Sequence, residues 1–302
     1  MKNTDKLMGF HALYGNHIKR IAVKGIYTII FGPLFQIKSI MSFVTSCIID
    51  PFKIRKLNIH GIKMVLNISS YTAYRMINEF DSYKTENKTQ LWLKNNLKDG
   101  DVFMDVGGNI GAYIVYANKL RKLKKSIAIE ASSINTKELL QNIYLNSLED
   151  SNVVVVHSAA ADENKLAVFD IPNVRTADGH GKVTSIIDPN IGSTFKRTYG
   201  DHCIKEVVQL RRLDDLFDQL EMEVPNVILM DIDAHEVVAM KGMSKILSAE
   251  NLRAVIVEVR KTTHNEIDKI LQSYEFSCDE VFTDTVGNLI YTKNILSYTL
   301  NL

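Results

Sequence analysis

Three cysteines in 302 residues, Cys47, Cys203 and Cys278, are too few and too scattered for a disulfide framework. Their spacing matches no zinc site. Such usage suits a reducing compartment, so the expected location is cytoplasmic. Net charge is also scarce, at +1, and no global field points to nucleic acid. No uninterrupted apolar run reaches the roughly 18–20 residues that span a bilayer. The best candidate is broken by Pro33 and Lys38. The first residues lack a compact apolar segment followed by a small-residue cleavage site. There is no internal repeat and no low-complexity tract.

One absence is local. From Lys6 to Ile49 there is no Asp or Glu, while Lys6, Lys19, Arg20, Lys24 and Lys38 are present among many apolar residues. A basic, acid-free arm spanning 6–49 can lie on an anionic membrane surface as a peripheral contact. Equally, it can be a helical arm packed on the main domain or on a second subunit. The oligomeric state is left open.

What is there begins clearly at Asp101. Short β-rich runs alternate with helical patterns: strands at 101–106, 126–130, 152–159, 166–172, 206–213, 226–232, 253–260 and 289–293, and helices at 111–123, 134–148, 236–247 and 264–275. Runs such as "VVVV" and "VILM" lack alternation, as do strands covered on both faces. The pattern predicts an α/β fold, a doubly wound sheet with helices on both faces. It divides the chain into a mainly helical N-terminal extension, 1–79, and a catalytic domain, 80–302. The lone Trp92 is expected to pack its helix on the sheet. Ligands of such folds bind at the carboxyl edge, so the residues after each strand matter most.

Asp105 ends the first of these strands, and Gly107, Gly108 and Gly111 follow with Asn109 between them. A nicotinamide fingerprint would need glycine at 106, where Val106 stands. An acid beside the turn would repel a pyrophosphate but suits a ligand with a cationic group, such as S-adenosylmethionine. Glu130 ends the next strand, where a carboxylate can accept both hydroxyls of a ribose. Ser158 and Ala159, with His157, follow the third strand beside the expected adenine. The fourth strand runs into "DIDAHE", which sets Asp231, Asp233, His235 and Glu236 close together. Asp231, His235 and Glu236 are candidates for deprotonating a hydroxyl or positioning it. Helix capping explains one of the acids as well. A divalent cation is conceivable there, but nothing in the spacing demands one. Glu258 and His264 face the same edge, with a Glu258 pairing to Arg260 or Lys261 as the plain alternative. A Gly-, Ser- and Thr-rich insertion between Pro172 and Val207 has the composition of a lid over the acceptor.

Together these residues resemble the FkbM family of S-adenosylmethionine-dependent methyltransferases, over about 80–258. "FMDVGGNIGAY" resembles its D-V-G-A-N-x-G motif, "AIEAS" its F-E-P, "NIYLN" its N-x-x-L-N, and "RRLDDL" its T-L-D-D segment. "LMDIDAHEVVAMKGM" follows K-I-D-V-E-G-x-E and its L-x-G. The resemblance implies a Rossmann-like class I methyltransferase sheet. It also implies donor binding by Asp105, Gly107, Gly108, Asn109, Gly111, Glu130, Ala131, Ser158 and Ala159, and methylation of a hydroxyl on a small-molecule or glycan acceptor. Departures are Gly108 for Ala, Ala131 for Pro, Leu229 for Lys, Asp233 for Glu and Ala234 for Gly. They keep open a methyltransferase fold that has lost its acceptor chemistry. A nucleotide-linked oxidoreductase is disfavoured by Val106.

Overall fold

A computed structural model describes residues 54–67, 69–81, 87–171, 182–183 and 204–293. The arm at 6–49, Cys47, Cys203 and almost all of the insertion between 172 and 203 lie outside the described residues. The elements run β1 Ile54–Ile59, β2 Ile62–Asn67, α1 Tyr71–Phe80, α2 Lys88–Asn96, β3 Val102–Val106, α3 Ala112–Leu120, β4 Lys125–Glu130 and α4 Ser133–Leu145. They continue with β5 Val153–His157, β6 Ala159–Ala160, β7 Lys165–Ile171, β8 Lys182–Val183, β9 Ile204–Arg211, α5 Leu213–Gln219 and β10 Val227–Met230. The last are α6 Glu236–Lys241, α7 Ser244–Ser248, β11 Ala254–Arg260, α8 His264–Ser273, β12 Phe276–Ser277 and β13 Val286–Lys293.

Seven strands form one sheet in the order β12-β13-β11-β10-β3-β4-β5. β3, β4, β5, β10 and β11 run parallel, and β13 enters antiparallel beside β11. The chain winds outward from β3 to β5, then returns to β10 on the other side of β3. The switch point therefore falls between β3 and β10, at their carboxyl ends. This is a Rossmann-like sheet with one antiparallel strand beside β11.

Alternation along the strands loads two cores. Val102, Met104, Val106, Ile127, Ile129, Ile228 and Met230 pack on one face under α5 to α8. Phe103, Ala128, Val227 and Leu229 pack on the other, under the β1–β2 hairpin and α1 to α4. Asp105 shares the parity of Phe103, and Glu130 that of Ala128, so both carboxyls belong to the second face.

The hairpin was not foreseen. β1 and β2 pair antiparallel around His60 and Gly61, which both have positive φ, 50° and 90°. That is the two-residue turn whose twist suits a hairpin. Leu57, Ile59, Met64, Leu66, Ala73 and Ile77 are buried in the same core as α3 and α4. The expected helical extension, 1–79, therefore does not hold for residues 54–79, which belong to the compact unit that starts at Ile54.

The predicted strands at 166–172 and 206–213 pair with each other, outside the main sheet. β6, β9, β7 and β8 make a separate four-stranded sheet. The single helix expected at 236–247 is two, α6 and α7, because the chain must turn at Gly242. A Cβ there would lie 2.0 Å from the Ala161 carbonyl oxygen. Asp214 of "RRLDDL" then caps α7 from outside: its carboxylate accepts from the Lys245 and Ile246 amides at 2.9 and 3.1 Å and from the Ser244 hydroxyl. Trp92 is half-buried against the second core, as expected.

Candidate active site

A cavity of about 520 Å³ opens at the carboxyl ends of β3, β4 and β10. That volume lies within the roughly 300–1,000 Å³ usual for small-molecule sites. Its floor is the turn after β3. Gly107, at φ +90°, crosses the loop after β10 so closely that a Cβ would fall 2.0 Å from the Asp231 carbonyl oxygen. The Asp231 amide donates back to the Val106 carbonyl at 2.9 Å. So the first glycine serves backbone-to-backbone contact between two strand tips. Gly111, at φ +81°, starts α3, and a Cβ there would press on Leu139 of α4 at 2.9 Å. It does not border the cavity.

Asp105, Gly107, Gly108, Asn109, Glu130, Ala131, Ser158, Ala159, Asp231, Asp233 and His235 all border the cavity. Both Glu130 oxygens are fixed, one by the Asn109 amide at 2.8 Å and one by the Ser132 amide at 2.7 Å. Each oxygen retains acceptor capacity toward the cavity. Burial raises the Glu130 pKa against those two bonds. Asp105 is 2% exposed, and burial, with the Glu130 charge behind it, pushes its carboxyl up to about 7. In the sheet register Asp105 lies beside Leu229, which brings no compensating cation.

Asp231 is open to the cavity but hemmed in by protein elsewhere. Its pKa is raised well above the carboxylate range, first by lost hydration and then by Glu258, Asp233, Glu236 and Asp105. Its surroundings are strained: Asp233 and Ala234 both sit in the left-handed region, at φ 56° and 72°. Glu236 holds that loop. It is fully buried, away from the cavity, and one oxygen accepts from the Ile232 and Ala234 amides at 3.1 and 3.2 Å. Burial pushes it up to about 7 as well. Arg260 clamps the far side, bonding to Asp233 and, at 2.9 Å, to Glu258. Glu258 thus has the arginine partner that the plain alternative foresaw. His157 turns away and bonds to the Ala131 carbonyl at 2.9 Å. His264 starts α8 and stacks near Phe282.

The opposite wall went unforeseen. Thr72, Arg75, Met76, Glu79 and Phe80 of α1 line the cavity at helical spacing, joined by Tyr113, whose hydroxyl contacts Asn87. Phe169 closes one end from the second sheet. The lining carries five carboxylates and, besides His235, one cationic side chain, Arg75, at its exposed rim. Two buried polar atoms on the wall, Asn109 Oδ1 and Ser158 Oγ, have no protein partner. A cationic, hydrogen-bonding ligand fits these walls. Among the described residues, no group of three His, Cys, Asp or Glu side chains could hold a metal ion. Nor is any described helix long and apolar enough to cross a membrane.

The fold is a Rossmann-like doubly wound sheet with a cavity at its switch point. The family model for the methyltransferase FkbM domain matches residues 105–278, and the chain belongs to that family. Among solved structures it is similar to the FkbM methyltransferase of Methylobacillus flagellatus KT, at 17% identity and a TM-score of 0.43. That match covers 65% of this chain and 44% of the other, so this chain spans under half of that protein's length. It is also similar to the ribosomal protein L11 methylase of Lactobacillus delbrueckii subsp. bulgaricus, at 12% identity and TM-score 0.41, over 70% of this chain and 80% of that one. A third is the precorrin-6y C5,15-methyltransferase of Geobacter metallireducens GS-15, at 10% identity and TM-score 0.41, over 70% and 91%. No curated protein matches the chain.

Proposed function

We propose that this protein is an S-adenosylmethionine-dependent O-methyltransferase acting on a hydroxyl of a carbohydrate or hydroxylated metabolite. The observation that carries this reading is the convergence of Asp105, Glu130 and Asp231, from three adjacent strand tips, on one cavity floored by the glycine turn. Glu130, already aimed by the Asn109 and Ser132 amides, accepts the ribose hydroxyls. Asn109 Oδ1 and Ser158 Oγ take the remaining polar contacts of the nucleoside and amino-acid parts. Asp105 sits by the cationic end, where a positive charge offsets its cost of ionising in a buried site. The donor supplies an electrophilic methyl on a sulfonium, which leaves the protein to align the acceptor and accept its proton.

Asp231 and His235 serve that second task. A carboxyl whose pKa is raised by neighbouring acids is a stronger base once ionised. Glu236 supports them by fixing the loop between the Ile232 and Ala234 amides. α1 forms the acceptor-side wall, with Thr72, Arg75 and Glu79 offering polar contacts to a polyhydroxylated molecule.

Calorimetry with S-adenosylmethionine and, separately, with NAD tests the donor. Saturable binding of the first alone is expected, and preference for NAD would overturn the reading. Incubation with a panel of sugars and hydroxylated metabolites should then yield S-adenosylhomocysteine in proportion to methylated product. Methyl transfer to nitrogen or carbon only would overturn the O-methyl assignment.

A further inference from the structure

The motif "NIYLN", 142–146, contributes no atom to the cavity wall, yet both asparagines are buried. Asn146 behaves as a piece of edge strand. Its Oδ1 accepts from the Val65 amide at 2.9 Å, and its Nδ2 donates to the Val65 carbonyl at 2.6 Å and to the Asn142 carbonyl at 2.7 Å. It thereby docks β2 on α4. Asn142, one helical turn earlier, does something different. Its Oδ1 accepts from the Asn67 amide at 2.7 Å, at the end of β2. Its Nδ2 donates to the Ile110 carbonyl at 2.8 Å, inside the glycine turn.

Those two partners lead to opposite walls of the cavity. Asn67 is three residues before Ser70, the N-cap of α1, whose side chain accepts from the Ala73 amide at 3.0 Å. α1 carries Thr72, Arg75, Met76 and Glu79. Ile110 follows Asn109, whose amide aims Glu130. One fully buried side chain therefore ties the donor turn to the strand that positions the acceptor-side helix.

We propose that Asn142 is a positioning residue that sets the two walls of the cavity in register, while Asn146 anchors the hairpin to the end of α4. This rests on the reading of the glycine turn as the donor site. Both asparagines are buried amides with backbone partners, so their loss removes hydrogen bonds of the same kind. Only loss of Asn142 frees the turn.

Asn142→Asp keeps an acceptor for the Asn67 amide but removes the donor to Ile110. Asn146→Asp is the matched control, since it puts the same new carboxylate into a buried site without touching the turn. Both should lower the melting temperature. Asn142→Asp should weaken S-adenosylmethionine binding about tenfold, the scale of one lost buried hydrogen bond, and speed hydrogen exchange at the Asn109 and Gly111 amides of the ligand-free protein. Asn146→Asp should change neither. Equal effects of the two variants on affinity and on turn exchange would overturn the proposal. Should Asn142→Asp fail to fold, the wild-type protein decides: bound S-adenosylmethionine should slow exchange at the Asn67 amide as well as in the turn. Slowing in the turn alone would overturn the coupling. Absence of S-adenosylmethionine binding by the wild type would instead sink the donor reading, and the proposal with it.

Discussion

Gly107 and Glu130 show how differently two residues of one site are held. At Gly107 the limit is backbone. A methyl group would meet the Asp231 carbonyl at 2.0 Å, in a left-handed conformation that side chains disfavour. Gly107→Ala should therefore destabilise the whole domain by about 2–5 kcal/mol, from overlap plus strain. Denaturant unfolding reads this, and a wild-type midpoint would show that the two strand tips do not need this closeness. At Glu130 the limit is chemistry. Glu130→Ala strips an acceptor from a buried site and leaves the Asn109 and Ser132 amides unsatisfied. It should weaken S-adenosylmethionine binding by about 1–3 kcal/mol in a protein that still folds. Unchanged affinity would remove Glu130 from the donor site.

Among the elements, the hairpin and α1 matter more than their sequence suggested. Strands from 101 onward were legible because runs such as "VVVV" and "VILM" are bounded by turns and lie between periodic helices. The cavity residues Asp105, Glu130 and Asp231 were legible because they follow strand ends of an α/β sheet. The β1–β2 hairpin hid in a basic, apolar stretch. Its alternation is short, and its turn is His-Gly rather than the stronger Asn-Gly signal. With it went one wall of the cavity, since Thr72, Arg75 and Glu79 line it only once α1 is placed over the sheet edge. The roles of Gly242, Gly111 and Glu236 were hidden for another reason. Each is set by a backbone or side chain distant in sequence or by a local loop shape, which spacing alone does not reveal. The consequence can be measured. A chain beginning at residue 80 would uncover Phe103, Ile110, Ile114 and Leu139, which now pack with Leu57, Leu66 and Ile77. It should aggregate or lose cooperative unfolding, whereas one beginning at Ile54 should unfold cooperatively and bind donor. Equal behaviour of the two would show that the hairpin and α1 are dispensable.

For the molecule as a whole, the charge pattern raises a question of location. The arm at 6–49 holds five basic residues and no acid. If it engages anionic lipid, the full chain should sediment with vesicles rich in phosphatidylserine and be released by salt. A chain beginning at Ile54 should stay in the supernatant. Vesicle binding that survives removal of the arm would assign the contact to the unit that starts at Ile54 instead.

The acids in and beneath the cavity should make a contribution to stability that falls as pH rises. Burial holds Asp105 and Glu236 up near 7, and raises Glu130 and Asp231 as well. Unfolded, these carboxyls titrate near 4. Between about pH 4 and 7 the folded state thus binds more protons than the unfolded state, and stability falls as pH rises. The test needs a ligand that acts on the cavity alone. A cationic ligand favours the ionised carboxylates and relieves their cost. The melting-temperature gain given by S-adenosylmethionine should therefore be larger at pH 8 than at pH 5.5. S-adenosylhomocysteine, which lacks the sulfonium charge, should show a shallower dependence. Leu229 offers the control, because it lies beside Asp105 in the sheet register. Leu229→Lys would place a cation there, lower the Asp105 pKa and flatten the trend. Equal gains at both pH values in the wild type would mean that the buried acids do not meet the donor's charge.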